Sequence, residues 1–304
     1  MKTHSPKSGD GGFIFHHPLW YDNPMREINV NEITKAVKQL YIDTNYHLAE
    51  DVKACVGQCA QKEQEPLAKE VFASMQENAR IAEEGVFPIC QDTGMACVFL
   101  EVGQDVHLTG GDLKDAVNEG VRQGCEEGYL RKTIVKDPFD RVNTGDSTPA
   151  DIVIDIVPGE HLKVTVCAKG FGSENMSRIR MLTPGAGVSG AEDAIVEICK
   201  EAGGNPCPPI VVGVGIGGNF NKAALMAKKA LLRPLGEKNA DPFYGEMEQR
   251  LLERINGLNI GPQGFGGETT ALAVHIISAP THIAGLPVAV NINCHVVRHQ
   301  EVIL

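Results

Sequence analysis

Apolar residues recur at helical spacing in the first third of the chain. From Asn31, which we predict to be an N-cap, one helical face collects Ile33, Val37, Leu40 and Tyr41. Further helical patterns continue to about Glu84. The pattern therefore predicts an N-terminal layer of helices.

Strands and helices mix beyond this layer. The apolar run MACVFLEVG (95–103) predicts a buried strand, and residues 112–128 predict a helix. The runs DIVIDIV (151–157) and HLKVTVCA (161–168) flank Pro158-Gly159, so together they predict a hairpin.

The second half of the chain continues the mixture. Helices are predicted over 191–204, 221–232 and 242–257, the last capped by Asp241, and strands over 209–215, 271–278 and 287–293. These elements favour an α/β fold, in which mixed sheets are surrounded by helices behind the N-terminal helical layer. We expect one domain over residues 25–304. Residues 1–24 lack the long apolar stretch of a signal peptide, so we expect a flexible extension there.

Charge and cysteine content narrow the function. The 304 residues carry a formal net charge of -11, which argues against binding to nucleic acid or to an anionic membrane. An anionic substrate would therefore need local arginines. Nine cysteines, an odd number, cannot all pair in disulfides, so we expect a reducing cytoplasm and thiols or metal-bound thiolates. No apolar run is long enough for a membrane span.

Three of the cysteines lie at the edges of predicted elements. Cys90 is found in FPICQDTG, Cys207 in NPCPPIVVG and Cys294 in NINCHVVRH, and prolines keep the second of these in a defined loop. The other six lie within predicted helices or strands, where cysteine usually packs as a small apolar residue: Cys55, Cys59, Cys97, Cys125, Cys167 and Cys199. Because C-x2-C pairs are absent, spacing alone does not assign the three edge cysteines to a shared metal.

The sequence segments around these cysteines indicate a family more specifically than the cysteine spacing does. They include PICQDTG, YLRKTIVKDP, VNTGDSTPADIVIDIVPG, KGFGSENMS, CPPIVVGVGIGGNFNKAALMAKKALLRP, GLNIGPQGFGG and VNINCHVVRH. Together they resemble the N-terminal catalytic domain of class I (iron-sulfur) fumarate hydratases, a family that includes L-tartrate dehydratase, over roughly residues 30–300. The resemblance implies that family's fold. It also implies that Cys90, Cys207 and Cys294 bind three irons of a [4Fe-4S] cluster whose fourth iron is open and acts as a Lewis acid.

The same resemblance implies a substrate site. Asp92, two residues after Cys90, is the candidate acid-base group, and Arg131 would clamp a substrate carboxylate through its bidentate fork. Four residues in all would contact the substrate: Gln91, Arg131, Gly172 and His282. Phe171 departs from the run of glycines that the family has in this region.

The implied reaction is the reversible hydration of fumarate to malate, because NTGDSTPAD and GGNFNKAAL resemble the fumarase branch. Dehydration of L-tartrate or another 2-hydroxy dicarboxylate is the alternative. The chain ends ten positions after Cys294 (304 minus 294), so we expect the rest of the pocket on a separate β subunit, in an α2β2 assembly.

Two other classes of protein remain open. GVGIGG (213–218) satisfies the dinucleotide pattern G-x-G-x-x-G, but the acidic residue expected about 20 positions later is replaced by Glu237 in a polar loop after a helix. A non-catalytic iron-sulfur redox protein is the third class, and it would have no need of Asp92 or Arg131.

Overall fold

The computed structural model describes residues 25–304, so the extension expected over residues 1–24 lies outside the described residues. A short strand β1 (Arg26–Asn29) leads into three helices, α1 (Val30–Tyr46), α2 (Glu50–Lys62) and α3 (Pro66–Glu83). The predicted helical layer is therefore confirmed. The cap of α1 is Asn29, whose side chain accepts a hydrogen bond from the N–H of Asn31. The predicted cap was two residues late because the side chain that accepts belongs to the residue before the first turn.

A four-stranded sheet follows the helical layer. Its strands are β2 (Met95–Gly103), β4 (Asp151–Val157), β5 (Leu162–Lys169) and β10 (His299–Ile303), in the order β10-β5-β2-β4. Between β2 and β4 the chain forms β3 (Val106–Thr109), which pairs with β1, and α4 (Leu113–Glu127). Apolar side chains of α1 and α4 pack with those of β2 and β5 in one core.

The predicted hairpin of residues 151–168 is wrong in its pairing. Strand β2 lies between β4 and β5, parallel to the first and antiparallel to the second. Seven of the nine residues of β2 are buried, which favours a central position in the sheet. The connection between β4 and β5 passes the end of β2, where the Gly103 N–H donates to the His161 carbonyl at 2.9 Å.

A second four-stranded sheet contains β6 (Arg178–Leu182), β7 (Ile210–Gly218), β8 (Ala271–Thr281) and β9 (Leu286–Asn293), in the order β6-β9-β7-β8. The short helix α5 (Phe171–Glu174) precedes it. Three longer helices accompany this sheet, α6 (Gly187–Ala202), α7 (Phe220–Ala230) and α8 (Pro242–Asn256). Asp241 caps α8 as predicted, because its side chain accepts from the Phe243 N–H at 2.9 Å.

The glycines of GVGIGG lie inside β7 rather than in a phosphate-binding loop. A methyl group at Gly213 would collide with the carbonyl oxygen of Ala227, and one at Gly215 with that of Ala223. Glycine therefore lets α7 lie directly on β7. This packing accounts for the glycines without a dinucleotide.

The α/β fold with mixed sheets and surrounding helices is confirmed. A further apolar cluster joins α2 and α3 to the loops that follow α3 and β9, with Phe72, Val52, Ile89 and Val297 among its buried members. None of the helices in residues 25–304 has both the length and the apolar character needed to cross a membrane.

Candidate active site

Three loops present the cysteines singled out from the sequence. Cys90 lies between α3 and β2, Cys207 between α6 and β7, and Cys294 directly after β9. Two contacts of His295 join the loops of Cys207 and Cys294. Its backbone N–H donates to the Cys207 carbonyl oxygen at 3.4 Å, and Nδ1 of its imidazole ring lies 3.1 Å from the same oxygen. The Cys90 loop is fixed by the N–H of Ile89, which donates to the Asn45 carbonyl at 2.8 Å.

The three thiols influence one another electrostatically. Burial raises the pKa of Cys207, and the neighbouring Cys294 and Cys90 raise it further. Burial likewise raises the pKa of Cys294. Cys90 raises this pKa further, whereas the cations of Arg298 and Lys169 lower it. Cys207 is exposed, whereas Cys90 and Cys294 are half-buried against the apolar cluster beside α2. The fold thus brings the three cysteines into one neighbourhood with one side open to solvent.

The cysteines do not form a compact single-metal site. In the described part of the chain, no group of three or more histidine, cysteine or acidic side chains could hold a metal ion. An iron-sulfur cluster differs in this respect, because each cysteine binds a different iron and the thiols stand around the whole cluster. Their arrangement on three separate loops is compatible with that wider donor set.

Two cations are buried beside the cysteines. Lys169 and Arg298 are each 1% exposed. The Lys169 ammonium group lies 3.2 Å from a carboxylate oxygen of Glu174 and donates to the Ser173 hydroxyl at 2.9 Å. Burial alone would raise the pKa of Glu174, but Lys169 and Lys228 outweigh it and lower that pKa below its usual value.

Asp92 is held by the backbone on both carboxylate oxygens. The N–H of Gly94 donates to Oδ1 at 3.0 Å, and the N–H of Phe171 donates to Oδ2 at 2.8 Å. Gly94 has a φ of 76°, and a Cβ on it would lie 2.9 Å from the backbone of Ala168 and Lys169. The glycine of PICQDTG is therefore required for the turn that aims Asp92.

Arg131 belongs to a segment that is bonded to the same turn. The Thr93 hydroxyl donates to the Arg131 carbonyl at 2.7 Å, and the Thr133 hydroxyl donates to the Gly94 carbonyl at 3.0 Å. The Arg131 side chain is exposed and has no hydrogen bond or ion pair to any residue in 25–304. Its guanidinium group is therefore available to a ligand.

Asp92 and Arg131 line one cleft of about 730 Å³. Its charged lining residues are Asp92, Arg131, Lys132 and Arg141, so three cations face one carboxylate. The volume is in the range of small-molecule sites. In a protein with a net charge of -11, this local excess of positive charge favours a small anion with more than one negative group.

The structure does not bring every predicted substrate residue into this cleft. Gln91 and Gly172 are exposed near it, and a Cβ on Gly172 would meet no atom within 4 Å. His282 is exposed on the turn between β8 and β9 and lines another cleft, of about 490 Å³, together with Asn219 and Lys222. Their predicted roles therefore stay predictions.

The other six cysteines occupy packed positions. Cys97, Cys125, Cys167 and Cys199 are buried, and Cys55 and Cys59 are half-buried on one face of α2. All nine cysteines are free thiols.

Several charged residues around the site were not predicted from the sequence: Lys132, Arg141, Lys169 and Arg298. Two signals were available. Lys169 ends a strand of mostly apolar residues, and Arg298 directly follows Val296 and Val297, four positions after Cys294. A charge in such a setting is an unusual and informative feature, because lysine and arginine are seldom fully buried.

An α/β fold with a cationic cleft next to three neighbouring cysteines is typical of an enzyme that acts on small anionic substrates. The family model described as fumarate hydratase (fumerase) matches residues 34–303. The chain therefore belongs to the fumarate hydratase family, and the expectation of a hydro-lyase is confirmed.

Individual relatives are similar over most of their length. A putative L(+)-tartrate dehydratase subunit alpha from Methanocaldococcus jannaschii is 40% identical, covering 86% of this chain and 94% of the relative. An L(+)-tartrate dehydratase subunit alpha from Escherichia coli strain UTI89 is 34% identical, covering 87% and 88%. The protein of that name from Shigella boydii is 33% identical with the same coverage.

Proposed function

We propose that this chain is the cluster-binding α subunit of a hydro-lyase that dehydrates L(+)-tartrate. The observation that carries the proposal is the cleft in which Asp92 faces Arg131, Lys132 and Arg141, next to the turn that follows Cys90. Three cations suit a dicarboxylate, and one oriented carboxylate suits proton transfer.

The choice of substrate follows from the relatives. The similar proteins described above are named as L(+)-tartrate dehydratase α subunits, which favours the tartrate alternative over the fumarate expected from the sequence. Fumarate and malate are the second candidates, because the matching family model is described as fumarate hydratase.

A [4Fe-4S] cluster is the cofactor that this proposal requires. The donor set suits it, because Cys90, Cys207 and Cys294 supply three soft thiolate ligands from separate loops, and the Nε of buried Arg298 has no partner. When bound, the cluster would supply a Lewis acid for the departure of a hydroxyl group.

The chain's own residues would orient the substrate and move a proton. The Arg131 guanidinium is positioned to bind one carboxylate, and Lys132 and Arg141 add positive charge for the other. Asp92, fixed by the N–H groups of Gly94 and Phe171, would accept the proton removed from the substrate carbon.

The relatives' names also support a partner. We propose a β subunit that covers the open cleft, in an α2β2 assembly. Phe139, next to the lining residue Pro138, is 94% exposed, and Phe171 in the lining is 44% exposed. Exposed aromatic side chains at the rim of a site are typical of an interface. The nine free thiols favour a reducing compartment such as the cytoplasm.

The test is anaerobic reconstitution of this chain with iron and sulfide, alone and with its β subunit. Dehydration of L(+)-tartrate and hydration of fumarate are then measured at equal cluster content. We expect activity only with the β subunit, and a higher kcat/KM for tartrate than for fumarate or malate.

The cysteine assignment needs a matched pair of variants. Cys207→Ala should abolish cluster binding, while Cys199→Ala, which removes a buried thiol of α6, should retain it. A Cys207→Ala protein with a full complement of iron and sulfide would disprove the ligand set. A clear preference for fumarate would overturn the choice of tartrate but not that of a hydro-lyase.

A further inference from the structure

Arg298 is the largest side chain that the fold buries completely in residues 25–304, with 1% of its surface exposed. It lies four residues after Cys294, on the segment that leads from β9 into β10. Neither the expected ligand set nor the expected substrate contacts include it.

The guanidinium group of Arg298 is only partly satisfied. Nη1 donates to Oδ1 of Asn45 at 2.9 Å, but the buried Nε has no hydrogen-bond partner. None of the carboxylates in residues 25–304 lies within ion-pair distance of it. A Cβ built on Gly170 would stand 3.4 Å from both Nη2 of Arg298 and Oδ2 of Asp92, so the cation is also close to the candidate acid-base group.

The other buried or half-buried lysines and arginines in residues 25–304 have a counterion. Lys169 lies 3.2 Å from Glu174, and Arg233 lies 2.7 Å from Glu248. A buried charge without such a partner is costly, and proteins keep one only where something compensates it. Arg298 has no such ion-pair partner among residues 25–304, and it therefore points to a further negative charge beside it.

The cysteines are where that charge would arise. Arg298 follows Cys294 by four residues, and Asn45, which accepts from Nη1 of Arg298, also accepts from the N–H of Ile89, the residue before Cys90, at 2.8 Å. A [4Fe-4S] core with two positive charges, held by three thiolates, carries one net negative charge. A buried site with that charge is the complement of a buried guanidinium.

We propose that Arg298 is a positioning residue for the iron-sulfur cluster: it supplies the buried counter-charge and an unused N–H donor to the sulfur atoms around Cys294. The inference rests on the proposed function. Arg298 would then adjust the properties of the cluster, although it is neither one of the three ligands nor part of the substrate cleft. Hydrogen bonds and charges around the ligands of a cluster influence its retention and its reduction potential.

The test compares wild type, Arg298→Gln and Arg298→Lys after anaerobic reconstitution in the complex with the β subunit. Iron and sulfide per chain, the rate of iron loss to a chelator, and the midpoint potential from electron paramagnetic resonance are measured. We expect Arg298→Gln to lose iron roughly 10- to 100-fold faster, the range typical of outer-shell changes. Its midpoint potential should be more negative, because removal of a cation disfavours the reduced, more negative cluster.

Arg298→Lys keeps the charge and should stay close to wild type in both measurements. Arg233→Gln is the matched control, since it alters another arginine with an unpartnered buried Nε, paired with Glu248 in a different cleft. It should leave iron loss and potential unchanged. Circular dichroism of the apo-proteins checks folding, and Arg298→Met, which also removes the charge, replaces Arg298→Gln if that variant does not fold.

Equal iron loss and equal potential in wild type and Arg298→Gln would overturn the inference while leaving the proposed function intact. A lysine variant as unstable in its cluster as the glutamine variant would also overturn it, because charge would then not be the cause. If wild type takes up no cluster, the proposed cofactor fails and the inference fails with it.

Discussion

At the residue scale, the candidate site combines groups that the backbone has fixed with groups that remain available. Both carboxylate oxygens of Asp92 accept backbone N–H groups, so its orientation is set before a ligand arrives. The Arg131 side chain is exposed in the same cleft. Pre-orientation of the proton-transfer group and freedom of the carboxylate-binding group are what a site for a small dicarboxylate needs.

Replacement of Asp92 tests its chemical role. Asp92→Asn keeps the size of the side chain, but an amide does not accept a proton from carbon. We expect kcat to fall by about 10²- to 10⁴-fold, the usual contribution of a general base. The measurement is the steady-state dehydration rate at cluster content matched by visible absorbance.

Asp155→Asn is the control for that experiment, because Asp155 is a carboxylate on β4 that pairs with Lys229 and does not line the cleft. It should retain wild-type kcat. Wild-type turnover by Asp92→Asn would refute the acid-base assignment of Asp92 and leave the hydro-lyase activity itself unaffected.

Cys55 and Cys59 form an unequal pair on α2. The hydrogen bond from Cys55, together with Thr269 and Lys62, outweighs burial and lowers the pKa of Cys59 to about 7, while the same pairing raises the pKa of Cys55. The thiolate of Cys59 therefore predominates above about pH 7, and only the thiolate reacts with alkylating agents.

Brief treatment of the protein with iodoacetamide between pH 5.5 and pH 9, followed by peptide mass spectrometry, measures this difference. We expect modification of Cys59 to rise with a midpoint at about pH 7 and Cys55 to stay unmodified. Cys55→Ser should preserve reaction at Cys59 as an internal reference. Preferential labelling of Cys55 would contradict the assignment of the thiolate.

At the element scale, local patterns predicted which segments are helices and strands, but not which strands are neighbours. Residues 151–157 and 161–168 do form strands, yet β2 lies between them, because a strand buried on both faces is most stable at the centre of the sheet. The short strands β1 and β6 were also missed. They contain charged residues and owe their conformation to a partner strand distant in sequence.

The close contact between β7 and α7 depends on the glycines of the strand. Gly215→Ala would place a methyl group against the carbonyl oxygen of Ala223, so the helix must move away from the strand. We expect a loss of about 1–3 kcal/mol in the free energy of unfolding, as for other overpacked cores. Urea unfolding followed by circular dichroism measures it.

Gly185→Ala is the matched control, because a Cβ there meets no atom within 4 Å. Its unfolding midpoint should equal that of wild type. Unchanged stability of Gly215→Ala would mean that the glycines of GVGIGG have another purpose, and a nucleotide-binding role would then have to be reconsidered.

At the scale of the whole molecule, the sequence predicted the cysteines but not their electrostatic surroundings. Cys90, Cys207 and Cys294 were recognisable because their flanking phrases resemble a known family. Arg298 and Lys169 were not, because sequence alone places a charged side chain on the surface by default. The cleft itself depends on two loops brought together by the Thr93–Arg131 hydrogen bond, a contact across 38 residues that no local pattern records.

The open side of the cleft is the surface where we expect the β subunit to bind. Phe139 is 94% exposed on the loop that lines one wall of the cleft. Burial of such a large apolar side chain under a partner stabilises the complex. Phe139→Asp should weaken binding of the β subunit by roughly 10-fold or more, as a central aromatic contact does. The α subunit alone should keep its fold and its cluster.

Sedimentation velocity of mixtures of the two subunits measures the affinity, with the midpoint of thermal unfolding as the check on folding. Ile156→Asp is the control, because Ile156 is 65% exposed on β4 and does not line the cleft. If both variants bind the β subunit as wild type does, the partner does not cover this rim. If Ile156→Asp alone weakens binding, the edge of the first sheet, rather than the mouth of the cleft, is the surface where the subunits meet.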